Sequence, residues 1–385
     1  MGSFLAFFCT FGQMNAFGTF QSWYTSHQLQ HMPPATISWI GSLQLFFFFF
    51  LGGFIGRVFD AYGPFFLMIS GTALYLLSTI CTSFSTQYYQ FILSQGMLFG
   101  ISIGLLFYPS IASISTHFSK YRATAVGIAA AGSSVGGVVY PIVLQYLFRK
   151  FGFSWAVRIC GISSTFLCGV ATVTVSSLPS QTKLGPILGT SIIKDTKFLF
   201  LSAGSCFVAL GLFIPFFYII DYTKYITGDP QVSFLVLAIM NAGGILGRVL
   251  PAYLSDAIGR FNLLVPCAFL AGLSCLVLWT FAYSLPLVFV FATSYGFFSG
   301  AFISVINPCV AQISELHELG TRIGVLYSLI SFPSLLGGPI AGAILVKDKD
   351  SYHYVAIFSG LNLLVGSLFI LCAKLAIDRR LFAKV

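Results

Sequence analysis

The chain has 385 residues, of which 57% are hydrophobic and only 8% charged, where a soluble chain carries roughly 25% Asp, Glu, Lys and Arg. So few charges cannot coat a water-facing surface of this size. The net charge of +9 comes from single basic residues between apolar segments; with no basic run or basic helix face, it excludes a nucleic-acid partner and leaves the lipid bilayer as the surroundings.

Breaking the chain at charges, prolines and polar clusters, with about 20 apolar residues needed per crossing, predicts an all-α integral membrane protein of twelve transmembrane helices. The first six cover 3–24, 37–59, 65–83, 89–114, 123–148 and 154–175. After a linker over 176–197 come 198–220, 232–254, 263–283, 285–313, 323–346 and 354–377. The domains expected are therefore an N-terminal six-helix bundle (1–175), the linker, and a C-terminal bundle with a short tail (198–385). The first run lacks a basic n-region and exceeds a signal h-region in length, so it is expected to stay as a helix. Gly2 is no myristoylation site, because Ala6 stands where Ser or Thr is required. The nine cysteines, with no C-x-x-C pair, read as small core residues.

With both termini cytoplasmic, twelve of the 19 Lys and Arg fall in inner loops and the tail. Arg149, Lys150, Lys224, Lys347 and Lys349 fall outside, and Arg158 and Arg248 lie within helices. This is the positive-inside distribution.

The two halves echo each other. The stretch Gly56-Arg-Val-Phe-Asp60-Ala-Tyr-Gly63 after the second helix recurs as Ala252-Tyr-Leu-Ser-Asp256-Ala-Ile-Gly259-Arg260 after the eighth. Gly127 and Gly324 stand at nearly the same offset, followed by the pairs Gly136-Gly137 and Gly337-Gly338. A duplicated unit places a substrate site between the halves and works by rocking around it. Glycines of this spacing, with Pro141 in the fifth helix and Pro339 in the eleventh, suit helices in backbone contact at a gate.

The two Gly-x-x-x-Asp-x-x-Gly loops resemble the signature loop of the major facilitator superfamily, although the first copy has Ala61 and Pro64-Phe65 in place of basic residues. The resemblance gives Asp60, Gly63, Asp256, Gly259 and Arg260 a gating role at the inner end. Five further stretches lie in order along the chain: Phe17–Gln21, Trp39–Gln44, Gly132–Gly137, Asn241–Arg248 and Gly320–Gly324. Together they are similar to the fungal branch of the monocarboxylate porter family. That resemblance implies transport of a small organic solute, often an organic anion, and, as the alternative, efflux of a secondary metabolite. Animal members are similar to a pattern with Lys before the helix 1 Phe-Gly and Asp four residues before the helix 8 Arg. Asn15 and Gly244 stand there instead, so proton symport through that pair is not expected. An Asp-Gly-Gly stretch ahead of helix 1 is also missing, which raises the expectation of a shortened N-terminus or an incomplete gene model.

Charges inside a membrane are functional candidates. Arg248 lies roughly 24 Å along helix 8 from its outer end at about 1.5 Å per residue, with no carboxylate within one turn. It either grips an anionic substrate with two hydrogen bonds or braces the inner gate near Asp256. Arg158, one turn from the outer face, can snorkel. Asn15, Gln44, Gln95 and Asn241 place amides inside helices as further substrate-binding candidates. None of the ten acidic residues is expected mid-helix. No cofactor or metal is implied, since there is no G-x-x-x-x-G-K-[ST] loop and no H-E-x-x-H or His-carboxylate cluster. A transporter is thus expected, at the plasma membrane; a transporter-like sensor is the alternative of another class, and an enzyme is excluded.

Overall fold

The computed structural model describes residues 1–118, 122–176, 195–314, 319–347 and 351–380, with backbone alone at 60–61, 115, 122, 230 and 319–321. The Asp60 side chain, most of the linker, and Lys120, Lys183, Lys194, Lys349 and Lys384 lie outside the described residues. Within them there is helix and no strand.

Ten helices are long and apolar enough to cross a membrane. One of these, Ala123–Thr174, has 52 residues and reverses at Gly152, whose φ of 73° suits glycine alone; it makes two crossings. The first run makes another, in three pieces each too short to span by itself. Twelve crossings follow, as expected. They are α1 (Gly2–Cys9, Phe11–Asn15 and Phe17–Ser26), α2 (Pro34–Phe50, then Gly52–Tyr62), α3 (Pro64–Phe84), α4 (Tyr88–Phe91, a π turn Ile92–Leu98, then Phe99–His117), α5 (122–151) and α6 (153–174). The second half holds α7 (Thr196–Leu212, then Ile214–Thr227), α8 (Pro230–Ile258), α9 (Arg260–Leu273, then a π turn Ser274–Trp279), α10 (Leu285–Gln312), α11 (Leu319–Lys347) and α12 (His353–Ile377).

The surface is apolar and the interior takes the polar groups: Val173 is 81% and Phe166 72% exposed, while Gln21, Gln44 and Asn241 are buried. Only lipid satisfies such a surface. The chain is an integral membrane protein.

Asp60 and Asp256 were expected in loops, and both instead lie in the last turn of a helix. The cause is the glycine that follows. Gly63 (φ 72°) and Gly259 (φ 111°) each form the whole connection between two helices, which only a residue without Cβ does at low cost. The helix therefore runs on past the aspartate. In the same way α7 continues to Thr227, so Asp221 lies inside a helix, contrary to expectation.

The two halves are broken alike. α1 opens at Ala16 (ψ 7°) and α7 at Phe213 (ψ −10°). Pro215, which has no N–H to give, follows the second break. The halves meet along two antiparallel seams, α5 with α8 and α2 with α11. On the first, Gly127 lies on Ala252 and the Arg248 carbonyl, Gly244 on Ser134, and Gly137 on the Asn241 amide. On the second, Gly53 lies on Gly324, Gly338 on Ser42, and Gly342 on Ala35. Small residues let the backbones approach where lipid supplies no hydrophobic drive.

Candidate functional site

Between the halves lies a cavity of about 40 Å³ lined by α1, α2, α4, α7, α10 and α11. Its wall is aromatic. Phe49 stacks on Tyr327 across the halves (centroids 5.5 Å, 6° between planes), and Phe213 meets both Phe49 (6.1 Å) and Phe11 (6.3 Å). Phe48 and Phe107 also line the space, and Tyr108 continues the lattice behind them. Few polar groups reach the space. Ser205 returns its hydroxyl to the Leu201 carbonyl at 2.7 Å, and Tyr327 donates to Asn307 Oδ1 at 3.0 Å. The Tyr108 hydroxyl, buried without a partner, lies outside the space, against Gly52. Such a wall suits a flat or apolar body, with one or two hydrogen bonds to orient it, but at about 40 Å³ the space admits one only when the halves part.

Both routes out are closed. At the end that carries Gly63 and Gly259, Gly53 touches Gly324, and Thr124 of α5 reaches Asp256 at 3.5 Å. Asp256 also faces Arg260 at 3.9 Å, and Arg260 donates to the Pro308 carbonyl at 3.0 Å. At the end that carries Gly152, Gly18 lies on the Phe216 carbonyl and Phe17 packs edge-on against Phe217 at 5.1 Å.

The sequence-predicted residues divide by place. Arg248 is buried to 2% exposure and reaches across the first seam, donating through Nη1 to the Ala130 carbonyl at 3.1 Å and to Ser133 Oγ. Its guanidinium lies 5.7 Å from the Phe11 ring, so one aromatic ring separates it from the cavity, and its Nε has no partner. Asn241 donates to Leu237 and leaves Oδ1 free against Gly137, and Asn15 is buried with both amide atoms free. Gln44 is buried with Nε2 free. Gln95, in the π turn of α4, accepts from Tyr24 and ties α4 to α1. None of these five lines the central cavity.

The glycine pairs each serve two neighbours: Gly136 packs on Phe8 and Gly12 within its half while Gly137 faces Asn241 of the other, and Gly337 packs on Leu210 while Gly338 faces Ser42. Pro141 is buried in α5. Arg158 donates to Ser83 at 3.0 Å and covers the Phe84 ring at 4.4 Å, so it joins α6 to α3. Cys81 and Cys372 face outward, unlike the core role expected of them. Sequence reasoning missed Phe11, Phe48, Phe49, Phe107, Phe213 and Tyr327. The one signal available is the run Phe46–Phe50, which carries no sign of which rings face inward.

The family profile described as Major Facilitator Superfamily matches residues 3–265 and 199–380. The agnestins efflux protein of Paecilomyces divaricatus is 38% identical over 386 residues, 100% of this chain and 88% of that protein. An MFS transporter of Aspergillus flavus is 37% identical over 378 residues, 97% of this chain and 86% of its own length. The aspyridones efflux protein of Emericella nidulans is 36% identical over 372 residues, 96% of this chain and 75% of its own.

Proposed function

Since the chain belongs to the Major Facilitator Superfamily and is a transporter with no enzymatic role, we propose that it exports a secondary metabolite with an apolar, aromatic body by alternating access. The observation that carries this reading is the aromatic cavity between the halves, closed at both ends. Phe49, Phe213 and Tyr327 come from opposite halves, so rocking about the seams would part them and expose the space to one side at a time. Similarity to proteins named for agnestins and aspyridones efflux supports the outward direction.

Arg248 acts in this account as a brace between α5 and α8, because its bonds run across the seam. Asp256, Arg260 and the Gly53–Gly324 contact form the gate at their end, which faces the cytoplasm together with both termini. The membrane is the plasma membrane, and the subfamily is the fungal branch of the monocarboxylate porters. An organic anion of monocarboxylate type is the second reading; the free Nε of Arg248 behind Phe11 favours it.

Untargeted metabolite profiling of cells and medium, with and without the protein, tests the function. Export predicts an aromatic metabolite that moves from cells to medium when the protein is present. The opposite movement, or none, contradicts it.

A further inference from the structure

A second cavity, of about 290 Å³, opens between the halves at the Gly152 end. Its place on the route is set by the helices that close the first. Ser22 lies one turn beyond Gly18 on α1, and Ile220 one turn beyond Phe216 on α7, and both line it. The Phe17–Phe217 contact at 5.1 Å is thus its floor. Along α1 it stands roughly 17 Å from Phe11 at about 1.5 Å per residue, so it is separate from the central cavity.

The lining combines two chemistries. Trp23 stacks on His27 (3.7 Å, 6°) and packs at a tilt against Phe148 (4.5 Å, 33°), giving an aromatic wall, and the buried Trp23 Nε1 has no acceptor. Arg149 of α5 and Lys224 of α7 both line the cavity and are exposed. Arg149 forms no ion pair among the described residues. Lys224 has Asp221 as a Coulombic neighbour one turn away, and Ser22 also faces that carboxylate. Two basic side chains against one carboxylate leave a positive excess beside an aromatic face.

We propose that this vestibule is a second binding station for an aromatic anion, a carboxylate or phenolate borne on an aromatic body. A guanidinium can hold a carboxylate by two hydrogen bonds while the body packs against the wall that His27, Trp23 and Phe148 form together. The site goes beyond the export reading, and it would be met last on the way out or first on the way in. An anionic lipid headgroup offers the same charge; the aromatic wall and the position between the halves favour a solute.

The test uses the full chain in phosphatidylcholine nanodiscs, with Ser26→Cys as reporter in a background without reactive native thiols. Ser26 lines the vestibule and is exposed. 1-Naphthoate is expected to slow its modification by an impermeant maleimide in a saturable way, and neutral 1-naphthylmethanol is not. In Arg149→Gln/Lys224→Gln the half-protecting concentration should rise about tenfold or more, and Arg149→Lys/Lys224→Arg should restore most of the protection. Equal protection by the alcohol, no protection by naphthoate, or an unchanged double variant would overturn the proposal. So would protection by phosphatidylglycerol alone in a parallel nanodisc, with no further effect of naphthoate, because the site would then belong to lipid. None of these failures bears on export, which metabolite profiling decides separately.

Discussion

Replacing Arg248 separates bracing from binding by rank order. Its guanidinium is 2% exposed and donates across the seam to Ala130 and Ser133, bonds that exist only while α5 and α8 stay packed. Arg248→Lys keeps a buried charge, but its shorter side chain does not carry an ammonium to the place where Nη1 now meets both acceptors. One charge-assisted bond lost costs about 1.5–3 kcal/mol, all of it in the closed state. That moves the balance between closed and open forms by about tenfold to 150-fold. Arg248→Gln also loses the bonds but removes the charge that would be stranded, so its shift should be smaller. The assay is the rate at which a thiol reagent, applied from the Gly259 end, modifies Ser205→Cys in the central cavity. Acceleration in the order Lys above Gln above wild type, with substrate affinity nearly intact, is expected. Unchanged rates, with affinity falling more for Gln than for Lys, would refute the brace and put Arg248 in the binding site.

A Cβ at Gly324 would stand 2.6 Å from the Gly53 backbone, whereas one at Gly53 would sit at 3.4 Å from Gly324; Gly324→Ala should therefore cost about 1–3 kcal/mol and open the Gly259 end, with Gly53→Ala nearly silent in thermal unfolding and labelling. Equal effects of the two would contradict the packing described. Flux in vesicles should be insensitive to an imposed pH gradient once the substrate's own ionisation is allowed for, and gradient-driven accumulation that Asp221→Asn abolishes would overturn this. For orientation, an impermeant reagent on intact cells should label Thr86→Cys and spare Ser176→Cys, and the reverse pattern would invert the topology.

Much of the architecture was legible because lipid imposes it. Backbone groups must be satisfied within each crossing, so apolar run length marked out the helices, and the repeated Gly63 and Gly259 turns announced the duplication. Helix ends were less legible. A glycine with positive φ stops a helix at one residue, and an aspartate before it reads as loop on polarity alone; this misplaced Asp256. Asp221 was misplaced because α7 continues past its charge. The aromatic wall was not legible at all. A transmembrane helix is apolar on the side facing lipid and often on the side facing its neighbours, so hydrophobic periodicity does not mark the inner face. Phe48 is 1% exposed and Phe166 72%, yet both are phenylalanines in apolar runs. The breaks at Ala16 and Phe213 also escaped notice, and only Pro215 gave a local reason for one of them.

Purified protein in liposomes loaded with the aromatic metabolite that profiling identifies tests transport through the aromatic cavity. Loss from the lumen should be saturable and downhill, without ATP. Phe213→Ala, which removes a ring shared by Phe11 and Phe49, should reduce it in protein that folds and inserts normally. Flux no faster than in empty liposomes, or flux unaltered by Phe213→Ala together with Phe49→Ala, would contradict transport through the aromatic cavity.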